Sequence, residues 1–180
     1  MGAKEGEGMA AWRKTEYPAD KAEMYALLYE QLTALLQGET SLIPCLANAS
    51  ALLFQALPDI NWAGFYLWTG SELLLGPFQG MPACVHIAMG RGVCGAAAET
   101  RLTQRIEDVH RFAGHIACDA SSRSEIVIPL LWQDRLLGVL DIDSPQIGRF
   151  DQADQDGLEK LARMVADCWH TCNDAVYPVQ

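Results

Sequence analysis

The sequence predicts the α+β class, with a mainly antiparallel sheet and helices packed on one side of it. Three observations point there. Two amphipathic helical stretches open the folded part, short strands joined by turn-length links follow, and one long amphipathic helix closes it. The 180 residues suffice for one domain with a real core and are too few for two comfortable ones. No internal repeat is visible.

Residues 1–20 are polar, Gly-rich and aperiodic and read as a flexible tail, which leaves 21–180 as a single domain. From Lys21 to Leu36, the residues Met24, Leu27, Leu28, Leu32, Leu35 and Leu36 recur at three- and four-residue spacing, the stripe of an amphipathic helix. Gly38 stops it. Ser41 caps a second helix, Leu42 to Leu57, with Pro44 in the first turn, where a missing N–H does no harm.

Pro58-Asp59 turns the chain into an aromatic strand, Ile60 to Trp68. Alternation puts Trp62, Gly64, Tyr66 and Trp68 on one face, and Ala63, Phe65 and Leu67 on the other. Thr69-Gly70-Ser71 leads to a second strand, Glu72 to Phe78. Cys84 to Ala88 reads as a third, with Cys84, His86 and Ala88 on one face. Gly90-Arg91-Gly92 opens a short helix, Val93 to Glu99, and Thr103 to Ile106 reads as an edge strand. Asp108 to Ser124 has no clean period, and a loop of that length is uncommon unless it carries function. Glu125 to Trp132 and Leu136 to Asp143 form a hairpin around Gln133-Asp134-Arg135. The last helix starts at Asp151 and repeats Leu158, Leu161, Val165, Cys168 and Cys172 at helical spacing.

Composition excludes some functions. The net charge of −10 repels phosphate backbones, so nucleic acid is not an expected partner. No apolar run reaches the ~18 residues of a membrane helix. The first residues lack an apolar signal region, and Gly6 stands where a myristoylation signal needs Ser or Thr, so the expected location is the cytoplasm. In that compartment six cysteines do not read as a disulfide framework and must be judged singly.

Cys45, Cys168 and Cys172 sit on apolar helix positions and read as small core residues. Cys84, Cys94 and Cys118 lie beside loops or short elements. Cys118 is the most suggestive, in a Gly-containing loop with His115 before it and Asp119 after it; the inert reading stays open. Cys94 follows a Gly-rich turn at a helix start, where the helix dipole favours a thiolate. Asp141 and Asp143 share a face of a strand that otherwise reads as buried, roughly 7 Å apart. Two such carboxylates raise each other's proton affinity, although a solvated strand end explains them equally well. Cys84, His86, Cys94, His110, His115 and Cys118 are the possible metal ligands, but no pair has a usual zinc spacing. A phosphate-binding loop, a dinucleotide turn and an H-E-x-x-H helix are also missing, so neither a metal nor a cofactor is expected.

Several stretches in order resemble one family: Asn61-Trp62-Ala63-Gly64-Phe65-Tyr66-Leu67, Gly76-Pro77-Phe78-Gln79-Gly80 with Ala83-Cys84, and Gly90-Arg91-Gly92-Val93-Cys94-Gly95. Then come His115-Ile116-Ala117-Cys118-Asp119-Ala120, Ser124-Glu125-Ile126-Val127-Ile128-Pro129-Leu130 and Gly138-Val139-Leu140-Asp141-Ile142-Asp143-Ser144-Pro145. Together they resemble the free methionine-(R)-sulfoxide reductases, over nearly the whole chain. The resemblance implies a GAF fold of about six antiparallel strands backed by helices, with a loop-covered pocket on the other face. It implies that Cys118 is the catalytic thiol, Cys84 the principal resolving cysteine and Cys94 an alternative partner. It also implies a homodimer recycled by thioredoxin. Trp62 and Tyr66 would then cage the substrate's methyl group, with Glu125, Asp141 and Asp143 binding it and supplying a proton. The competing readings are a ligand-binding GAF sensor without chemistry and a zinc-binding structural protein.

Overall fold

A computed structural model of the protein describes residues 15–112, 114 and 120–172. Helix α1, Lys21–Leu36, starts where the Asp20 carboxylate accepts from the Glu23 amide at 3.0 Å, and it buries Met24, Tyr25, Leu28, Leu32 and Leu36. Of the expected tail, residues 15–20 are described: Tyr17 packs against the core and its hydroxyl donates to Gln31 Oε1 at 2.7 Å. Helix α2, Leu42–Ala56, follows the Ser41 N-cap and ends one residue earlier than the apolar pattern suggests, with Leu57 as its C-cap.

Six strands follow: β1 Trp62–Trp68, β2 Glu72–Gly80, β3 His86–Ala88, β4 Gln104–Ile106, β5 Ser124–Trp132 and β6 Arg135–Ser144. They form one sheet in the order β3-β2-β1-β6-β5-β4, and every neighbouring pair is antiparallel. A short helix α3, Gly92–Thr100, lies between β3 and β4, and a 3-10 turn, Val109–Arg111, begins the long connection to β5. The last helix, α4, spans Gln152–Thr171. Cys84 precedes β3 rather than lying in it: strand pairing covers only His86 to Ala88 against Leu74 to Glu72.

The alternation read from the sequence holds in β1. Ala63, Phe65 and Leu67 join Ile126, Ile128, Leu140 and Ile142 under α1, α2 and α4, in the larger core. Trp62 and Tyr66 join Val127, Val139 and the buried side of α3 in a smaller core on the opposite face. The sheet thus separates two apolar layers, and the acids of β5 and β6 belong to the α3 side.

One buried polar cluster ties the helices together. Asp154 of α4 is fully buried and accepts from Tyr25 Oη (2.9 Å), Arg149 Nη1 (3.0 Å), the Asp151 amide (3.0 Å) and Lys21 Nζ (2.5 Å). In return the Asp151 carboxylate accepts from the Asp154 amide, closing a reciprocal cap at the start of α4. At the other end of α4 the three cysteines read as core come together, with Cys45 Sγ of α2 3.2 Å from Cys168 Sγ of α4. Among the described residues, no helix is long and apolar enough to cross a membrane.

Candidate active site

Strand register builds the site. Trp62 of β1 pairs with Asp143 of β6, which pairs with Glu125 of β5, so the three side chains stand in one cross-strand row. The next row on the same face is Gly64, Asp141 and Val127, and beyond it Tyr66 pairs with Val139. The missing side chain at Gly64 is what this arrangement requires. A Cβ there would lie 2.3 Å from Phe78 Cβ and 2.7 Å from the Trp62 ring. With only hydrogen at that position, the Trp62 ring lies along the strand, stacked with Phe78 at 5.2 Å and with Tyr66 at 6.0 Å between centroids.

The polar tips of the two aromatics fasten the connection from β2 to β3. Trp62 Nε1 donates to the Met81 carbonyl and Tyr66 Oη to the Cys84 carbonyl, both at 3.1 Å. That connection forms one wall of the pocket, with Met81, Pro82 and Ala83 lining it. The first turn of α3 forms another, with Arg91, Gly92, Val93 and Cys94, and the acids form the floor.

Cys94, Glu125 and Asp141 are each buried, and a ligand atom from each lies within 4.8 Å of the other two. Cys94 Sγ is 4.0 Å from Glu125 Oε1. Burial, and then the charges of Asp141 and Asp143, push the Glu125 carboxyl well above the usual carboxylate range. Burial pushes Asp141 up to about 7, against hydrogen bonds from Cys94 and Glu125 that pull the other way. Asp141 Oδ1 has no hydrogen-bond partner among the described residues. Burial and mutual repulsion therefore bias the cluster toward its protonated forms.

Cys94 departs from its sequence-based reading. A helix start favours a thiolate, yet burial and the neighbouring Asp141 and Glu125 push this thiol well above its ordinary range. Burial, with the acids beside it, outweighs the dipole, so Cys94 is held as a neutral thiol. Cys84 lies half-buried in the connection before β3, with its backbone pinned by Tyr66. His86 and His110, two of the possible metal ligands, are exposed and stand apart from the acids; His86 Nδ1 instead sits 2.9 Å from Glu72 Oε1.

Cys118, with His115 and Asp119, lies outside the described residues. The chain just after them is tied to the site: Asn61 Nδ2 donates to Ser121 Oγ at 3.2 Å and Ser122 Oγ at 3.0 Å, and Ser122 lines the pocket. Sequence reasoning missed Ser122 and Arg91. Arg91 is the one basic side chain among the described lining residues, and its position just before a Gly-rich helix start was the available signal.

Comparison with known proteins agrees with this geometry. The GAF domain family matches residues 26–168. The free methionine-R-sulfoxide reductase of Escherichia coli is 58% identical over 142 residues, covering 79% of this chain and 86% of that protein. The free methionine-R-sulfoxide reductase of Saccharomyces cerevisiae is 45% identical over 154 residues, covering 81% and 86% respectively. The structure of the Neisseria meningitidis free methionine-R-sulfoxide reductase in complex with its substrate superposes with a TM-score of 0.84 at 40% identity, covering 89% of this chain and 98% of that one. An antiparallel six-stranded sheet, an acid-floored pocket roofed by α3 and identity of this extent lead to one assignment: the chain belongs to the free methionine-R-sulfoxide reductases, within the GAF-domain family.

Proposed function

We propose that the chain reduces free methionine-(R)-sulfoxide to methionine, with Cys118 as nucleophile. The observation that carries this reading is the buried trio of Cys94, Glu125 and Asp141 beneath a Trp62–Tyr66 wall, a proton store beside an apolar cage. A ligand sensor has no need of buried carboxyls pushed toward their protonated forms; a sulfoxide reductase does, because the departing oxygen must be protonated.

The Cys118 thiolate attacks the sulfoxide sulfur while Glu125, with Asp143 beside it, gives a proton to the oxygen. The protonated oxygen then passes from the substrate sulfur to the Cys118 sulfur as the bond formed between the two sulfurs breaks, so that methionine leaves with two more electrons and Cys118 is left as a sulfenic acid. Cys84 then displaces that oxygen as water and forms a disulfide with Cys118, which needs their Cα atoms about 4.4–6.8 Å apart. Two electrons from thioredoxin reopen the disulfide by thiol exchange. Cys94 is the alternative resolving thiol. Trp62 and Tyr66 hold the methyl group, Asp141 faces the ammonium group, and Arg91 is the charge complement of the carboxylate. A pocket enclosed around the substrate would exclude methionine sulfoxide inside a polypeptide. The working form in this reading is a cytoplasmic homodimer.

The test is turnover of each sulfoxide epimer with thioredoxin, for the wild type and for Cys118→Ser, Cys84→Ser and Cys94→Ser. The expected result is turnover of the R epimer alone, none with Cys118→Ser, and one equivalent of methionine without efficient recycling for Cys84→Ser. A wild-type protein that binds the sulfoxide and releases no methionine is a sensor, and the proposal fails.

A further inference from the structure

A second group of thiols lies on the other side of the sheet from the acid pocket. Cys45 is in the first turn of α2, Cys168 in the last turn of α4, and Cys172 is the residue that caps α4. Cys172 follows Cys168 at four-residue spacing, so both project from one side of the helix, toward the start of α2. The sulfurs of Cys45 and Cys168 are 3.2 Å apart, and all three sulfurs lie within 4.8 Å of one another. Cys45 is 2% exposed, whereas Cys168 and Cys172 are half-buried and leave the group open on one side.

We propose that Cys45, Cys168 and Cys172 form a copper(I)-binding site of three thiolates, which clasps the start of α2 to the end of α4. Thiolates at about 2.3 Å from a central ion stand roughly 4 Å from one another, a spacing between the 3.2 Å of Cys45 and Cys168 and the 4.8 Å that bounds all three sulfurs. The donor set is sulfur only, which selects soft ions over magnesium, calcium or manganese. Among the described residues no fourth ligand joins the group, which disfavours zinc, almost always four-coordinate in structural sites. A disulfide would use two of the sulfurs and leave the third without a part. Entry is through Cys168 and Cys172, and the three thiol protons leave as the ion binds. The site shares no residue with the acid pocket, so it stands or falls independently of the sulfoxide chemistry.

The test uses the full chain carrying Cys84→Ser, Cys94→Ser and Cys118→Ser, so that only these three thiols remain. The reduced protein is titrated with copper(I) without oxygen, in competition with a chromogenic copper(I) chelator. We expect one copper(I) withdrawn per chain and a rise in Tm, since only the folded state gathers the ligands. Adding Cys168→Ser or Cys172→Ser should weaken binding at least about tenfold, the smallest loss seen when even an outer-shell partner of a metal is removed. Near-UV circular dichroism checks folding; Cys172, at the end of α4, is the substitution that decides if Cys168→Ser disturbs the helix. The proposal is overturned if the chelator retains all the copper, if a folded serine variant binds as tightly, or if zinc at equal concentration displaces copper. It is also overturned if peptide mapping of the untreated protein finds Cys45 and Cys168 joined by a disulfide.

Discussion

The Tyr66 hydroxyl donates to the main-chain carbonyl of Cys84 at 3.1 Å, which links a strand of the pocket wall to the thiol proposed to resolve the oxidised enzyme. Tyr66→Phe keeps the ring and removes that bond, worth about 0.5–1.5 kcal/mol. The expected effect is a fall of up to about tenfold in thioredoxin-coupled turnover, with single-turnover methionine release changed far less. Equal loss in both measurements would place the tyrosine in the chemical step instead.

Glu125→Gln preserves shape and hydrogen bonding and cannot supply a proton. Positioned acids contribute about 10²–10⁴-fold to a proton-transfer step. Single-turnover release of methionine should therefore slow at least about a hundredfold, with binding of the sulfoxide little altered. A variant within tenfold of wild type would remove Glu125 from the proton path.

Asp141 makes stability depend on pH. In the folded protein it holds its proton up to about 7, while the unfolded chain releases it near the ordinary value of about 3.9. Between those values the folded state binds more protons, so its stability is greatest on the acid side and declines as pH rises through the window. Glu125 is shifted the same way and adds to the slope, while Cys94 and Asp143 face the same cluster. Urea unfolding at pH 5 and pH 8 should show the wild type losing stability toward pH 8 and Asp141→Asn losing less.

Gly64→Ala drives a methyl group into Phe78 and the Trp62 ring. Overpacking of this kind costs about 1–3 kcal/mol. The aromatic wall must also turn, so KM for the sulfoxide should rise. Thermal unfolding and steady-state kinetics read the two effects separately.

Asp154→Ala strips four partners of their shared acceptor, among them the buried Arg149 guanidinium. Breaking a buried pair from one side costs about 3–5 kcal/mol. Denaturant unfolding should register that loss, while the acids of the pocket, on the far face of the sheet, keep their function in whatever fraction remains folded.

The pocket wall and floor were legible because strand alternation is strict. Trp62 and Tyr66 fall on one face, as do Asp141 and Asp143. The turn at Gln133-Asp134 alone would set Glu125 opposite Ile142; the register shift between Leu130 and Leu131, which no local period reports, sets it opposite Asp143. That β1 lies against β6 is a tertiary fact which no local period reports. The Gly90-Arg91-Gly92 run announced the start of α3 and with it Cys94, but not the acids that surround the thiol, so the expected thiolate is a buried neutral group. Cys45, Cys168 and Cys172 read correctly as positions on apolar stripes. Their meeting depends on how α2 crosses α4, which stripes alone do not specify.

Placing β1 and β6 side by side at the centre of the sheet has a consequence for biogenesis. As the nascent polypeptide emerges, the β1–β2 hairpin can form early, but one edge of β1 must wait for a partner encoded far downstream. Until then that edge is a template for wrong pairings, and the distant closure slows the search for the native arrangement. The same event that seals the edge brings Asp143 beside Trp62. Catalytic competence and protection from aggregation are thus gained in a single late step of maturation.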